Sequence, residues 1–562
     1  MRKVLWIIFL SLAVPLVSLA GSRRVIPIGN QREFDTLQEK IETAVISGAT
    51  DLSVVLAPGT YFFTDNHLKL YGKEWSGVSL SITGDNSILT ASGIDLRDGD
   101  PWSGVWDPGC QFLHPDGGCI ETFGKAMRSP GLVRIVDERQ KLCRIRMPNR
   151  PSRPNGVLKD AYLQLSRWYE SRTYKVTQIR DGWVYFIADD LEKVSPMGYN
   201  VNYDFLYGQE RPRFRLCNTG DRDLVTLDGG HIHLPAGIAS THCCKASTFL
   251  SIHNTAIGSL TLSGLEFKGN ADQEGRHLIG VYHCRCQRFS ISGCRFSDIK
   301  SSLFTAEHTD HIEIEDNLFR DCHKHVLSTA STCREARFLD NSFDHCGCDW
   351  GPWACITACG DGYLVSGNRI SDFGYVGIFV GNFETGLSDT EPGGIVEDNT
   401  LWYDPDFLAD TLSYTMMDSG AIYISTCNDV ATIRRNYIHD IGGVKDNRGI
   451  FCDDGARNFD IYDNVILHIS NSYGIDSRRV PELEGSRIRH NVGNRIHGNL
   501  LDAPIRFEGN ESTDRCSLGT NYCLPQSQGG AFPETRTKNI SHKEEQLKIT
   551  SIQGTLWEAR VK

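Results

Sequence analysis

The sequence predicts an all-β fold, a right-handed parallel β-helix with an N-terminal cap and a small inserted β-domain. Three observations predict it. From about residue 250 to 510 one short phrase recurs: an alternating apolar run, a turn at Gly, Asp or Asn, and a second apolar run. An asparagine marks the same point of the phrase at Asn317, Asn341, Asn368, Asn399, Asn436, Asn464 and Asn499. Its spacing varies from 24 residues to 37, as expected of coils with one face of fixed length and looser turns elsewhere. Asparagines in one register can stack their side-chain amides and bridge successive coils. A β-propeller needs blades of about 40–45 residues with hairpin turns, and this phrase is shorter and lacks them.

The elements follow in order. Residues 1–20 read as a signal peptide: Arg2 and Lys3 precede an apolar run, and Ser18 and Ala20 place small residues before Gly21. The mature chain is therefore expected to be secreted or periplasmic. Residues 21–130 form the cap and first coils, with a helix around Glu33–Val45 at helical apolar spacing. A β-run over Asp51–Phe63 and two short strands divided by Gly84-Asp85-Asn86 follow. Residues 131–245 lose the Gly–Asn rhythm and carry longer, more charged strands, so they are assigned to the inserted domain. Residues 246–510 form the β-helix that carries the site, and 511–562 a C-terminal cap or tail.

Composition narrows the function. A net charge of −12 over 562 residues, with no Lys/Arg-dense stripe, argues against a nucleic-acid partner. The chain holds 19 cysteines. Their spacing makes no zinc site, and Cys294, Cys322 and Cys452 read as small fillers of the coil interior. Pairing is expected within the 346–359 cluster or between Cys516 and Cys523. There is no calcium-loop motif and no phosphate loop, so no cofactor or metal is expected. The expected form is a monomer, free of the membrane once the signal is removed.

Chemistry concentrates between Met417 and Arg479. Aligning VGIFV, GAIYI and GIFCD puts Ile378, Ile422 and Ile450 in one inward row, which Ile475 extends. Alternation then turns Phe379, Tyr423, Phe451 and Asp476 outward at about 4.8 Å per coil. Asp453 faces out on the same side, and Asp454 falls at the turn. This ladder of rings and carboxylates suits a sugar: flat faces for stacking and carboxyls for acid/base work. Strand geometry places Asp453 and Asp476 about 8 Å apart, a separation that leaves room for a water. Asp418 joins Asp453 only if the chain turns at Ser419-Gly420. Glu384, with Asn382 in the same GNFETG phrase, follows the Phe379 strand toward the groove. Glu307, His308, His323 and His325 are weaker candidates.

At these residues the chain resembles the exported β-helix glycosidases of glycoside hydrolase family 141, which include α-L-fucosidase and xylanase activities. MDSGAIYI and GIFCDDGARN are similar to two phrases of that family, with RRNYIHD between them, and RIRMPNR is similar to its Arg-x-Pro-Asn phrase. The resemblance implies that Asp418 and one of Asp453 or Asp454 are the catalytic carboxylates. The expected function is hydrolysis of glycosidic bonds in a polysaccharide or oligosaccharide, with Tyr423, Phe451, Asp476, Arg478, Glu384 and Asn382 holding the sugar. Two alternatives stand beside it. One is a polysaccharide lyase on a uronate-containing glycan, drawing on Arg448, Arg478 or Arg479. The other is a carbohydrate-binding β-helix without catalysis.

Overall fold

A computed structural model describes residues 22–102, 110–115, 118–130, 133–148, 156–157, 161–167, 170–189, 213–217, 224–381, 393–416, 418–425, 431–443, 446–453, 455–470, 472–477, 491–507, 515–523 and 537–539. The expected signal peptide, Asp454, Arg478, Arg479, Asn382 and Glu384 lie outside them.

The chain winds as a parallel β-helix. One wall is an eleven-stranded sheet, which includes Ser302–Glu307, Leu327–Thr329, Ala354–Ala358, Val376–Gly381, Ser419–Ser425, Asn447–Cys452, Ile475–Ser477 and Ile505–Phe507. The other two walls are short strands joined by the marker turn, such as Arg337–Leu339 and Ser342–Asp344. Each pairs in parallel with its counterpart one coil on. A single core runs through the stack. Phe267, Phe296, Phe319 and Phe343 stack ring on ring there at 5.0, 5.0 and 4.8 Å.

The marker asparagines form a buried ladder. Each Nδ2 donates to the next Oδ1 at 2.9–3.1 Å from Asn317 through Asn341, Asn368, Asn399, Asn436, Asn464 and Asn499 to Asn521. The backbone N–H of each also donates to the next Oδ1, at 3.0–3.1 Å. The residue before each asparagine takes a left-handed conformation: Asp316, Asp340, Gly367, Asp398, Arg435, Asp463 and Gly498 have φ between 51° and 71°. Asp and Gly tolerate that region best, which explains why the phrase reads mostly Asp-Asn or Gly-Asn.

The N-terminal cap holds two helices, Gln31–Asp35 and Leu37–Ile46, broken at Thr36. Asn30 caps the first by accepting from the Glu33 N–H at 3.1 Å, and the Glu33 carboxylate reaches back to the Gly29 N–H at 2.7 Å. Phe34, Leu37, Ile41 and Ala44 are buried against the first coil. Ser79–Ala91 is one 13-residue strand, not two. Asn86 takes a positive φ of 56° within it.

Antiparallel pairing begins upstream of residue 131. Gly93–Arg97 pairs with Ser240–Cys244, so the departing and returning chains meet. A second antiparallel sheet, with its own core of Leu163, Val176, Phe186 and Phe214, lies between them. Two arginines of that sheet tie it to the β-helix. Arg213 Nη1 donates to the Thr415 carbonyl at 2.6 Å, and Arg215 pairs with Asp349 at 2.5 Å. Both guanidiniums lie over Trp350, at 5.3 and 5.1 Å. Cys294, Cys322 and Cys452 are buried in the core. Cys346, Cys348 and Cys355 hold free thiols, so the pairing expected among them is not formed. No helix among the described residues is long and apolar enough to cross a membrane.

Candidate active site

The eleven-stranded sheet fixes the site by register. Ile378, Ile422, Ile450 and Ile475 are successive partners facing the core, and Leu327 and Ile356 extend the row upstream. The neighbouring row runs Thr305, Ser328, Thr357, Phe379, Tyr423, Phe451, Asp476, Arg506. The aligned phrases therefore stack as the sequence implies. Phe379 stacks on Tyr423 at 5.6 Å, and Phe451 meets Tyr423 edge-on at 4.8 Å.

The downstream half of this row is covered. Phe379, Tyr423 and Phe451 are buried with Trp350, Met416 and Tyr375, and Ala126 packs against the cluster. Phe451 and Asp476 are both 0 % exposed, so neither presents a surface to a sugar. This corrects their expected substrate-binding role. Phe451 supports Tyr423 from the side and carries the Arg448 guanidinium 3.8 Å from its ring centre. Asp476 accepts from Arg448 Nε at 2.5 Å and from Arg506 Nε at 2.6 Å, with Arg506 Nη2 also on the same carboxylate.

Asp453 follows the Asn447–Cys452 strand, anchored by its N–H to the Ile424 carbonyl at 2.8 Å. Its Oδ2 accepts the Tyr423 hydroxyl at 2.8 Å. The middle ring of the row thus makes a phenol–carboxyl contact just past the strand end, where Asp453 is 4 % exposed.

Asp418 is elsewhere. Ser419 pairs with Asn447 and Ile424 with Cys452, so Asp418 precedes one end of this strand pair and Asp453 follows the other. The separation along the strand is on the order of 20 Å at ~3.3 Å per residue. Ser419-Gly420 lies inside the strand and makes no turn. Gly420 is needed for space, because a Cβ there meets the Phe451 Cβ at 3.1 Å. The turn falls at Asp418 itself, with φ of 56°. Asp418 binds Arg448 Nη1 at 3.1 Å, which leads toward Asp476. The structure thus does not bring Asp418 and Asp453 together as one acid/base pair. Arg448, the described arginine of the lyase alternative, is 1 % exposed and occupied by these carboxylates.

Upstream, the same face opens into a cavity of about 300 Å³ lined by His277, Glu307, His325, Thr357, Tyr375 and Phe379 among others. The Ala354 N–H donates to His325 Nδ1 at 3.2 Å, so the ring proton is on Nε2. Burial, with His277 and Lys324 nearby, pushes His325 down to about 4, and burial lowers His277 as well. Both rings are therefore neutral near pH 7. Of these lining residues the sequence marked Glu307 and His325 as weaker candidates. It missed His277 and Thr357. Extending the aligned aliphatics one phrase upstream, to ACITA, would have placed Thr357 beside Phe379. His308 and His323 do not line this cavity. Among the described residues no cluster of His, Cys, Asp and Glu is arranged to hold a metal.

No protein-family profile matches this sequence, and no curated protein matches it. Solved structures do. A glycoside hydrolase superposes with a TM-score of 0.53 at 12 % identity, covering 89 % of this chain and 96 % of that one. The mannuronan C-5 epimerase AlgE4 A-module of Azotobacter vinelandii follows at TM-score 0.41 and 10 % identity, over 91 % and 96 % of the two chains. The tailspike of the E. coli bacteriophage HK620, solved with a pentasaccharide, gives 0.33 and 10 %, over 87 % and 74 %. At 12 % identity the first of these shares the fold, a parallel β-helix.

Proposed function

We propose that this protein is an exported glycoside hydrolase acting on a polysaccharide or its side chains, with Asp453 as a reacting carboxyl. The observation that carries the reading is the Tyr423–Asp453 contact in a row of aromatic rings, on a sheet face continuous with a polar cavity. Hydrolysis of a glycosidic bond needs one carboxyl to donate a proton to the leaving oxygen and another to act as base or nucleophile. The Tyr423 hydroxyl holds Asp453 Oδ2 in place at 2.8 Å. Asp454, the next residue in sequence, is assigned as the second carboxyl. Asp418 is assigned to the Arg448 ion pair and not to catalysis. A solved glycoside hydrolase with this fold is consistent with the reading.

The test is release of reducing ends from a panel of plant and microbial polysaccharides. Asp453→Asn is expected to fold normally and lose at least about a hundredfold in rate, the usual scale of acid/base catalysis. Asp418→Asn is expected to keep most of its turnover. Full activity in Asp453→Asn would sink the assignment. Products absorbing in the ultraviolet through a new double bond would replace hydrolysis with elimination.

A further inference from the structure

The cavity upstream of Asp453 holds polar atoms that the protein leaves without partners. His277 Nδ1 and Thr357 Oγ1 are both buried and have no hydrogen-bond partner among the described residues. Buried polar atoms of native proteins are almost always satisfied, so such a pair points to a water or a ligand. These two converge on one space of about 300 Å³, together with Thr305 and Ser328 of the outward row. His325 adds a defined Nε2–H donor, because its Nδ1 is occupied by the Ala354 N–H. Ala330 and Pro352 supply a partly exposed apolar edge, backed by the buried rings of Tyr375 and Phe379.

The charge in the cavity is equally specific. Glu307 is the one carboxylate among the described lining residues, which include no Lys or Arg. Lys324, the residue before His325, is engaged with Asp272 at 2.6 Å. A uronate or sulfated sugar would bring a second negative charge next to Glu307, with no cation among the described lining residues to balance it. A neutral ring with several hydroxyls meets every requirement. A hydroxyl can exchange hydrogen bonds with His277 Nδ1 and Thr357 Oγ1, while its oxygen accepts from His325 Nε2–H. The apolar face of the ring packs against Pro352.

We propose that this cavity is a subsite for an uncharged pyranose unit and selects neutral glycans over uronate-containing ones. The proposal rests on the reading of the protein as a glycoside hydrolase, whose reacting end it complements. Gly381, at the cavity edge, is the register partner of Ser425, and Asp453 follows one coil beyond. The span is about 10 Å, two coils at ~4.8 Å each, which a short oligosaccharide bridges.

The experiment separates binding from turnover. Asp453→Asn protein is titrated with neutral oligosaccharides (gluco-, xylo- and manno-series) and with oligouronates of equal length. Binding is read by calorimetry and by tryptophan fluorescence, since Trp353 lies edge-on to His325 at 5.1 Å. At least one neutral series is expected to bind at least tenfold tighter than any oligouronate. Thr357→Val, which keeps the side-chain shape, and His277→Phe are expected to weaken that binding at least tenfold with the melting temperature unchanged. Tighter binding of uronates, no neutral binding by any series, or unaltered binding in Thr357→Val overturns the subsite. If His277→Phe does not fold, the Trp353 signal of the unsubstituted cavity and Thr357→Val carry the decision. Neutral binding with no hydrolysis by the wild-type protein would leave the subsite standing and remove the hydrolase reading instead.

Discussion

Asp476 shows how far a residue's role depends on what surrounds it. In sequence it is an acid at the end of an aromatic row, and strand geometry places it within reach of Asp453. In the structure it is fully buried between Arg448 and Arg506, and Arg448 links it to Asp418. A carboxylate with its lone pairs filled by two guanidiniums binds the coils together and is not available to a substrate. Removing one member of such a buried set strands the others. Asp476→Ala is therefore expected to destabilise the protein by about 3–5 kcal/mol, seen as a lower denaturation midpoint. Replacing Arg448, Asp476 and Arg506 together by apolar residues of similar volume should cost less than that single change. If the single and triple variants are equally destabilised, the set does not act as a unit. What the sequence could not reveal is the lid over this row. Arg213 reaching Thr415, and Trp350 and Met416 closing on Tyr423, are contacts between segments far apart in the chain, and no local pattern encodes them.

At the scale of an element, the coil repeat was legible and the meaning of one glycine was not. The inward isoleucines and outward rings could be aligned because a strand alternates with a period of two and the phrase repeats its own register. Ser419-Gly420 has the composition of a turn, yet Gly420 is in a strand because Phe451 of the next coil approaches it closely. That one difference moves Asp418 to the far end of the strand from Asp453. The asparagine ladder was readable because its chemistry is local to each turn. Asn436 Oδ1 accepts from the Asn399 N–H and Nδ2, and its own Nδ2 donates to Val396 and Asn464. Asn436→Ala would leave several buried groups unsatisfied, at about 1–3 kcal/mol for each that water cannot reach. Its urea midpoint should fall below that of Asn521→Ala at the last rung, whose Nδ2 ends the ladder on the Ile496 and Gly519 carbonyls, so that only one side of the chain of asparagines is cut. Equal losses would show that the ladder is not a chain of coupled rungs.

Across the whole molecule, a solenoid is weakest where its stack ends, because an exposed coil offers unpaired strand edges and an uncovered core. The N-terminal helices cover that end, and His67 is part of the seal. Its ring stacks between Phe34 of the first helix at 4.3 Å and Phe249 of a later coil at 6.0 Å, with Nε2 buried and unpartnered. Burial pushes His67 down to about 4, against a weaker opposing pull from Asp35. The folded cap therefore binds the proton less readily than the unfolded chain does. Stability from this group is fully present above about pH 6.5 and is lost as pH falls toward 4, because the unfolded state takes up the proton first. The shift corresponds to roughly 3 kcal/mol at ~1.36 kcal/mol per unit. His67→Phe keeps an aromatic ring between Phe34 and Phe249 and removes the titration. In the wild-type protein, amide exchange in the Leu37–Ile46 helix, corrected for the intrinsic effect of pH, is expected to lose protection between pH 6.5 and 4. In His67→Phe that loss should shrink about as much as the shift predicts. An unchanged pH profile would show that the acid sensitivity of the cap lies elsewhere.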